Sequence, residues 1–232
     1  FAKANSEIEA TYLEHFVRDY LNEHAERAMA VINPIKVVIE NYEGNETLEF
    51  DTMPQTENSP KRNISFSKEL YISAEDFSDN PPPKFFRLKP DGYVRLKNAY
   101  IIKCERVEYD DNGAIARLIC SYLPESKSGH DSSGIKVKGT IQWVDAATAK
   151  DVVIKKYDYL LKDAEYPNQD FSERMNYDSV HAFPGKAEAY LADAEEGKSF
   201  QLLRIGYYKK VTENGNTELH EITALKDTYK PV

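Results

Sequence analysis

Near the start of the chain, apolar side chains recur at Ile8, Tyr12, Leu13, Phe16, Val17, Tyr20 and Leu21. Their spacing places them on one face of an amphipathic helix. Ser6 suits the N-cap, with Glu9 three residues on completing a capping box. Pro34 closes the helical region near residues 29–33. Such a stripe needs cover, from the next domain or from one outside this chain.

Beyond Pro34 the period drops to two. Segments 35–39, 47–50, 64–73, 93–107, 114–122, 134–144, 152–161, 200–211 and 217–225 are rich in β-branched and aromatic residues, with turn signals between them. The clearest hairpin signal is Asp110-Asp111-Asn112-Gly113, and Glu213-Asn214-Gly215-Asn216 is a second. Residues 74–77 and 146–150 each suit one helical turn. Loops 125–133 and 163–178 are polar and irregular, and Pro81-Pro82-Pro83 is a stiff spacer. Many short strands without long helices between them predict barrels or sandwiches, not a βαβ sheet.

The composition is that of a globular chain: 232 residues, 41% apolar and 30% charged. No window approaches about 18 uninterrupted apolar residues, so no membrane helix is expected. Two cysteines, Cys104 and Cys120, and the lack of an apolar leader in FAKANSEIEA point to a reducing cytoplasm. From its start at Phe1 the chain is expected to be a piece of a longer one.

A net charge of −9 argues against a general nucleic-acid coat. The charge is uneven, however. Residues 84–103 carry six basic side chains, Lys84, Arg87, Lys89, Arg95, Lys97 and Lys103, against one acid, Asp91. A cationic patch on an acidic body fits one specific anionic partner. A solvated strand face is the plain alternative.

The catalytic inventory is thin. No GxGxxG and no P-loop is present, and the five histidines are scattered with no HExxH. His15 and His24 stand nine apart, off any common helix face. Cys104 and Cys120 lie in apolar strands, the setting of an inert thiol. No catalytic residue and no metal site is expected. The binding inventory is richer. In a strand over KFFRLKPDGYVRLKNAYIIKCERV, Arg95 and Lys97 share one face, with Val94, Leu96 and Ala99 pointed elsewhere. With Phe85, Phe86 and Tyr93 they make a platform for a splayed base and its phosphate. The same pattern also fits aromatics in a core beneath solvated cations.

Five segments then stand out: RAMAVINPIKVVIENYEGN, FSKELYI, FFRLKPDGYVRLKNAYIIKCERVEYD, KVKGTIQWV and FQLLRIGYY. Together, in order and spacing, they resemble the C-terminal anticodon-binding portion of glutaminyl-tRNA synthetases, class I enzymes. The likeness runs from about residue 13 to the end. It implies a mainly β fold of two antiparallel β-barrels, similar to a ribosomal RNA-binding barrel, after a short helical segment. Residues 1–33 would be a helical subdomain remnant, 34–61 and 150–232 a discontinuous proximal barrel, and 62–149 the distal barrel. Strands near 35–50 would pair with those after Val152.

The resemblance also implies roles. Arg27 matches an arginine at the middle anticodon uridine, with Gln201 and Arg204 lining the same pocket. Arg87 matches an arginine at the third base, a guanosine. Arg95 and Lys97 match basic residues at the first base, and Asn98 is placed at the loop backbone. Two positions depart from some relatives: Phe86 stands where they have lysine, and Lys97 where they have arginine. Lysine lacks the planar fork, so bidentate reading at the first base would be weaker. Single-stranded loop bases can be read on their edges, and each good bidentate contact discriminates by ~1–3 kcal/mol.

The implied partner is the anticodon stem-loop of tRNA(Gln), with no DNA and no membrane partner and a monomeric state. ATP with magnesium belongs to the full-length ligase. The HIGH-like and MSK-like signatures of the catalytic half are missing, so this chain should bind without catalysing and need no cofactor. The same domain of an archaeal or eukaryotic-type glutamyl-tRNA synthetase is the near alternative. A β-barrel that docks proteins is the distant one.

Overall fold

The computed structural model describes residues 9–161 and 170–226. The helix spans Ala10–His24, with Glu9 at its N-cap position making no side-chain capping bond. Ile8, Ser6 and most of the expected capping box lie outside the described residues. Val17, Leu21 and Ala25 pack on Tyr207 and Leu225. Arg18 fastens the helix, donating to the Ala224 carbonyl at 2.8 Å and the Thr223 hydroxyl at 2.9 Å. Of the same stripe, Leu13, Phe16 and Tyr20 are exposed.

The helix stops earlier than the sequence suggests. Ala25 is extended, and Glu26–Ala28 and Ala30–Ile32 are strands, with Ala28 through Val31 fully buried. An apolar run buried on every side reads alike as helix or as strand, and tertiary burial decides it.

These two short strands close a sheet on itself. Glu26–Ala28 runs parallel to Ser199–Leu202. Ser199–Leu202 leads through Gly206–Glu213 to Asn216–Ala224, then in parallel to Lys150–Tyr157, and on to Val180–Ala187. Val180–Ala187 returns to Ala30–Ile32. One bent strand, turning at Met29, thus pairs with both edges of a six-stranded barrel. Its core holds Ile154, Phe200, Tyr208 and Leu219.

A second barrel closes the same way. Thr140–Ile141 runs parallel to Tyr93–Leu96 and Val144–Asp145 antiparallel to Glu69–Ser73. Between those edges stand Ile101–Tyr109, Ile115–Tyr122 and Pro34–Ile39. The two barrels share one pattern of neighbours, each with two parallel pairings. In the first the closing strand comes first in the chain, and in the second it comes last. A hairpin of Glu46–Asp51 and Lys61–Phe66 lends Leu48, Phe50, Ile64 and Phe66 to the second barrel's core, around the fully buried Trp143.

The mainly β, two-barrel architecture stands, with four corrections. Neither barrel is wholly antiparallel: each carries two parallel pairs, one at the closing strand and one inside the sheet. Pro34–Ile39 does not pair with the strands after Val152; it lies between Ile115–Tyr122 and Glu69–Ser73, and residues 26–32 take the place expected for it. The runs 93–107, 200–211 and 64–73 are each two strands, broken at 97–100, 203–205 and 67–68. Residues 134–139 form a loop, and 146–150 a turn without a helix, whereas Ala74–Asp76 is the expected helical turn.

Candidate nucleic-acid interface

The residues singled out above fall into three groups. In the first, barrel closure sets Arg27 directly opposite Gln201. Arg27 is buried, and its guanidinium caps the helix C-terminus, donating to Ala25 O at 2.8 Å and to Asn22 O and Oδ1 at 3.0 and 3.1 Å. Gln201 donates to the Tyr207 hydroxyl at 3.1 Å, and that hydroxyl donates to Asn22 Oδ1 at 3.3 Å. Burial holds the Tyr207 phenol above its ordinary pKa and so neutral. Arg27, Gln201, Tyr207 and Asn22 form one network under the end of the helix. Asn22 belongs to no segment singled out in the sequence, and Tyr207, though it lies within FQLLRIGYY, has no role assigned there.

Arg204 does not join that network. It sits in the turn after Ser199–Leu202 with φ 65°, and its guanidinium donates to the Thr140 carbonyl and stands 3.8 Å from Asp76 Oδ1. Arg87 meets the same carboxylate oxygen at 3.2 Å and donates to Glu75 O at 2.7 Å. An arginine from each barrel therefore shares one buried acid. Burial pushes the Asp76 carboxyl up to about 6, against the opposing pull of Arg204 and Arg87. Above this pair opens a groove of about 550 Å³, lined by Lys84, Phe85, Phe86, Lys138 and Thr140 among others.

The third group is Arg95, Lys97 and Asn98. Arg95 is in the strand Tyr93–Leu96, donating to Ser126 O at 2.7 Å and paired with Asp131. Hydrogen bonds from Ser133, and then the Arg95 pair, hold the Asp131 carboxyl below the usual range. Lys97 and Asn98 occupy the following turn, not the strand, with Asn98 at φ 53°. Lys97 is still exposed beside Arg95, while Val94, Leu96 and Ala99 are buried as expected. The aromatic platform divides: Phe86 and Tyr93 are exposed and Phe85 is half-buried.

Elsewhere, Glu213, Glu218 and His220 bring ligand atoms within 4.8 Å of one another. The Lys155 ammonium already bridges the two carboxylates at 3.1 and 2.5 Å. Among the described residues no helix is long and apolar enough to cross a membrane.

Comparison with known proteins places these groups in context. Residues 25–123 match a family described as tRNA synthetases class I (E and Q), anti-codon binding domain, and residues 140–210 match a second family of the same description. The chain is 44% identical over 236 residues to a glutamine–tRNA ligase of Clostridium perfringens, covering 99% of this chain and 43% of that protein. It is 42% identical to one of Rhodopirellula baltica, covering 98% and 39%, and 37% identical to one of Clostridium kluyveri, covering 99% and 43%. The chain thus spans about two fifths of the length of the curated relatives it matches.

Proposed function

The chain belongs to the anticodon-binding domain family of the class I tRNA synthetases for glutamate and glutamine, and we propose that it reads the anticodon loop of a glutamine tRNA. In this reading Arg27 and Gln201 serve the middle uridine, Arg87 the third-base guanosine, and Arg95 with Lys97 the first base, with Asn98 at the loop backbone. Arg204 stands beside Arg87 and so joins the third-base side of the middle pocket. Arg27 acts chiefly by shaping the network that presents Gln201, because its own donors serve the helix end.

The observation that carries the reading is the meeting of Arg204 and Arg87, one from each barrel, at a single cationic groove. A guanine edge offers two acceptors to such a fork. The −9 charge of the whole chain then works against loose attachment to RNA at large.

The relatives' names support a wider enzyme, a glutamine–tRNA ligase. In it this chain recognises the tRNA, while a catalytic portion uses ATP with magnesium to join glutamine to it. The chain alone binds and does not catalyse, acts in the cytoplasm as a monomer, and takes neither DNA nor a membrane as partner.

Fluorescence titration with anticodon stem-loops tests this. Loops ending in G should bind more tightly than loops ending in C, and affinity should fall with salt by roughly 0.7 log units per contacted phosphate per log unit of salt. Preference for C would point to a glutamate-specific domain. Absence of binding would point to a protein-docking barrel.

A further inference from the structure

We propose that Cys104 and Cys120 are a redox-active dithiol, a modification site that a small peroxide closes to an internal disulfide and a reducing thiol reopens. The inference stands apart from the RNA reading above.

Register is the first ground. The chain has two cysteines, both free, and they face each other directly across the antiparallel strands Ile101–Tyr109 and Ile115–Tyr122. The backbone shows which kind of facing pair this is. Cys104 N donates to Gly92 O at 3.1 Å, Cys104 O accepts from Asp91 N at 3.0 Å, and Cys120 O accepts from Glu40 N at 2.9 Å. These groups all turn away from the ladder the two strands share. The pair is therefore a non-hydrogen-bonded one, the kind whose side chains stand closer. Such pairs hold their Cα atoms about 4.5 Å apart, within the roughly 4.4–6.8 Å that a disulfide spans. Contact with the Cys120 thiol draws Cys104 below the ordinary thiol range, and the same contact, with burial, pushes Cys120 up. Cys104 is thus the attacking sulfur.

Access is the second. Both cysteines are buried, and a buried thiol by itself is inert. Cys104, however, is the last buried residue of its strand. The register slips just beyond it, at the exposed Glu105 and Arg106. On its other side lies the segment 90–92, past the end of the ladder to Tyr93–Leu96. A bulge beside a ladder end opens locally without unfolding the barrel. The charges of Asp79, Asp91 and Glu105 act on Cys104 and repel an anionic oxidant, so a small neutral peroxide is the fitting one.

The chemistry balances in two steps. The Cys104 thiolate attacks one peroxide oxygen, the O–O bond breaks, and the departing hydroxide takes up the thiol proton as water. Cys120 sulfur then attacks the sulfenic sulfur of Cys104, the S–S bond forms, and the hydroxyl leaves with the Cys120 proton as a second water. Two thiols lose two electrons and the peroxide gains them.

The test treats the folded chain with hydrogen peroxide and reads intact mass, linked peptides and free thiols. Both thiols should disappear together, the mass should fall by two hydrogens, the Cys104 and Cys120 peptides should be joined, and dithiothreitol should reverse all three. Cys120→Ser should stop at a sulfenic acid that dimedone traps, and Cys104→Ser should react about tenfold more slowly or less. Circular dichroism melts confirm that each variant folds. Thiols that survive in the folded wild-type chain, oxygen added without a link, or a link formed only in urea would overturn the dithiol. Equal rates in wild type and Cys104→Ser would overturn Cys104 as the attacking sulfur, and faster closure with glutathione disulfide would overturn the choice of a peroxide.

Discussion

At the scale of single residues, Asp76 governs the groove. It is a buried carboxylate under two arginines, and its oxygen holds Arg87 at 3.2 Å and Arg204 at 3.8 Å. Asp76 binds its proton more tightly in the folded chain than in the unfolded one, where a carboxyl stays near 3.8. Its contribution to stability is therefore full below that value and is lost as pH rises through about 6. Protonation also removes a negative charge from beneath the arginines. RNA affinity should thus rise as pH falls from about 7.5 to about 5.5, and in Asp76→Asn that step should vanish. Arg87→Ala should weaken stem-loop binding by ~1–3 kcal/mol and loosen preference at the third base, as read by titration with G- and C-ended loops. The arginines were legible in the sequence because they recur in specific segments. Asp76 was not, since one acid among many on a chain is distinguished only by what folds over it.

At the scale of elements, turns with glycine were readable and turns without it were not. Asp110-Asp111-Asn112-Gly113 joins two strands as its residue types require. The breaks at 97–100 and 203–205 hide inside alternating runs, because the left-handed residues there are Asn98 and Arg204. The cost was a strand drawn through the site, which put Lys97 and Asn98 in the ladder instead of on a turn. Loop 134–139 was lost for a similar reason, its alternation of lysine and aliphatic residues reading as strand. Its Gly139 marks the true arrangement. Gly139→Ala should force the loop off Phe86 O, at about 1–3 kcal/mol in stability by thermal melt, and should lower RNA affinity with it.

At the scale of the whole molecule, β content and barrel class were legible, and the pairing of distant strands was not. Nothing local tells Ala30–Ile32 to seek Val180–Ala187. What holds that closure is a buried ion pair between parts far apart in the chain. Arg62 Nε lies 3.0 and 3.1 Å from the two Glu188 oxygens, and Glu188 also accepts the Met29 amide at 2.8 Å, at the bend of the closing strand. Arg62 belongs to the hairpin that fills the second barrel and Glu188 follows a strand of the first, so the pair ties the barrels together. Removing one partner strands the other charge. Arg62→Ala should cost ~3–5 kcal/mol in urea unfolding, and Arg62→Met with Glu188→Leu far less. Because the closing strand sets Arg27 against Gln201, the single-partner variant should also weaken RNA binding. In the proposed reading one RNA loop is received across both barrels. Amide chemical-shift mapping of the chain with a glutamine anticodon stem-loop tests it most directly: Gln201 and Arg204 of the first barrel should shift at the same titration midpoint as Arg87 and Arg95 of the second, whereas shifts confined to one barrel, or two separate midpoints, would contradict it.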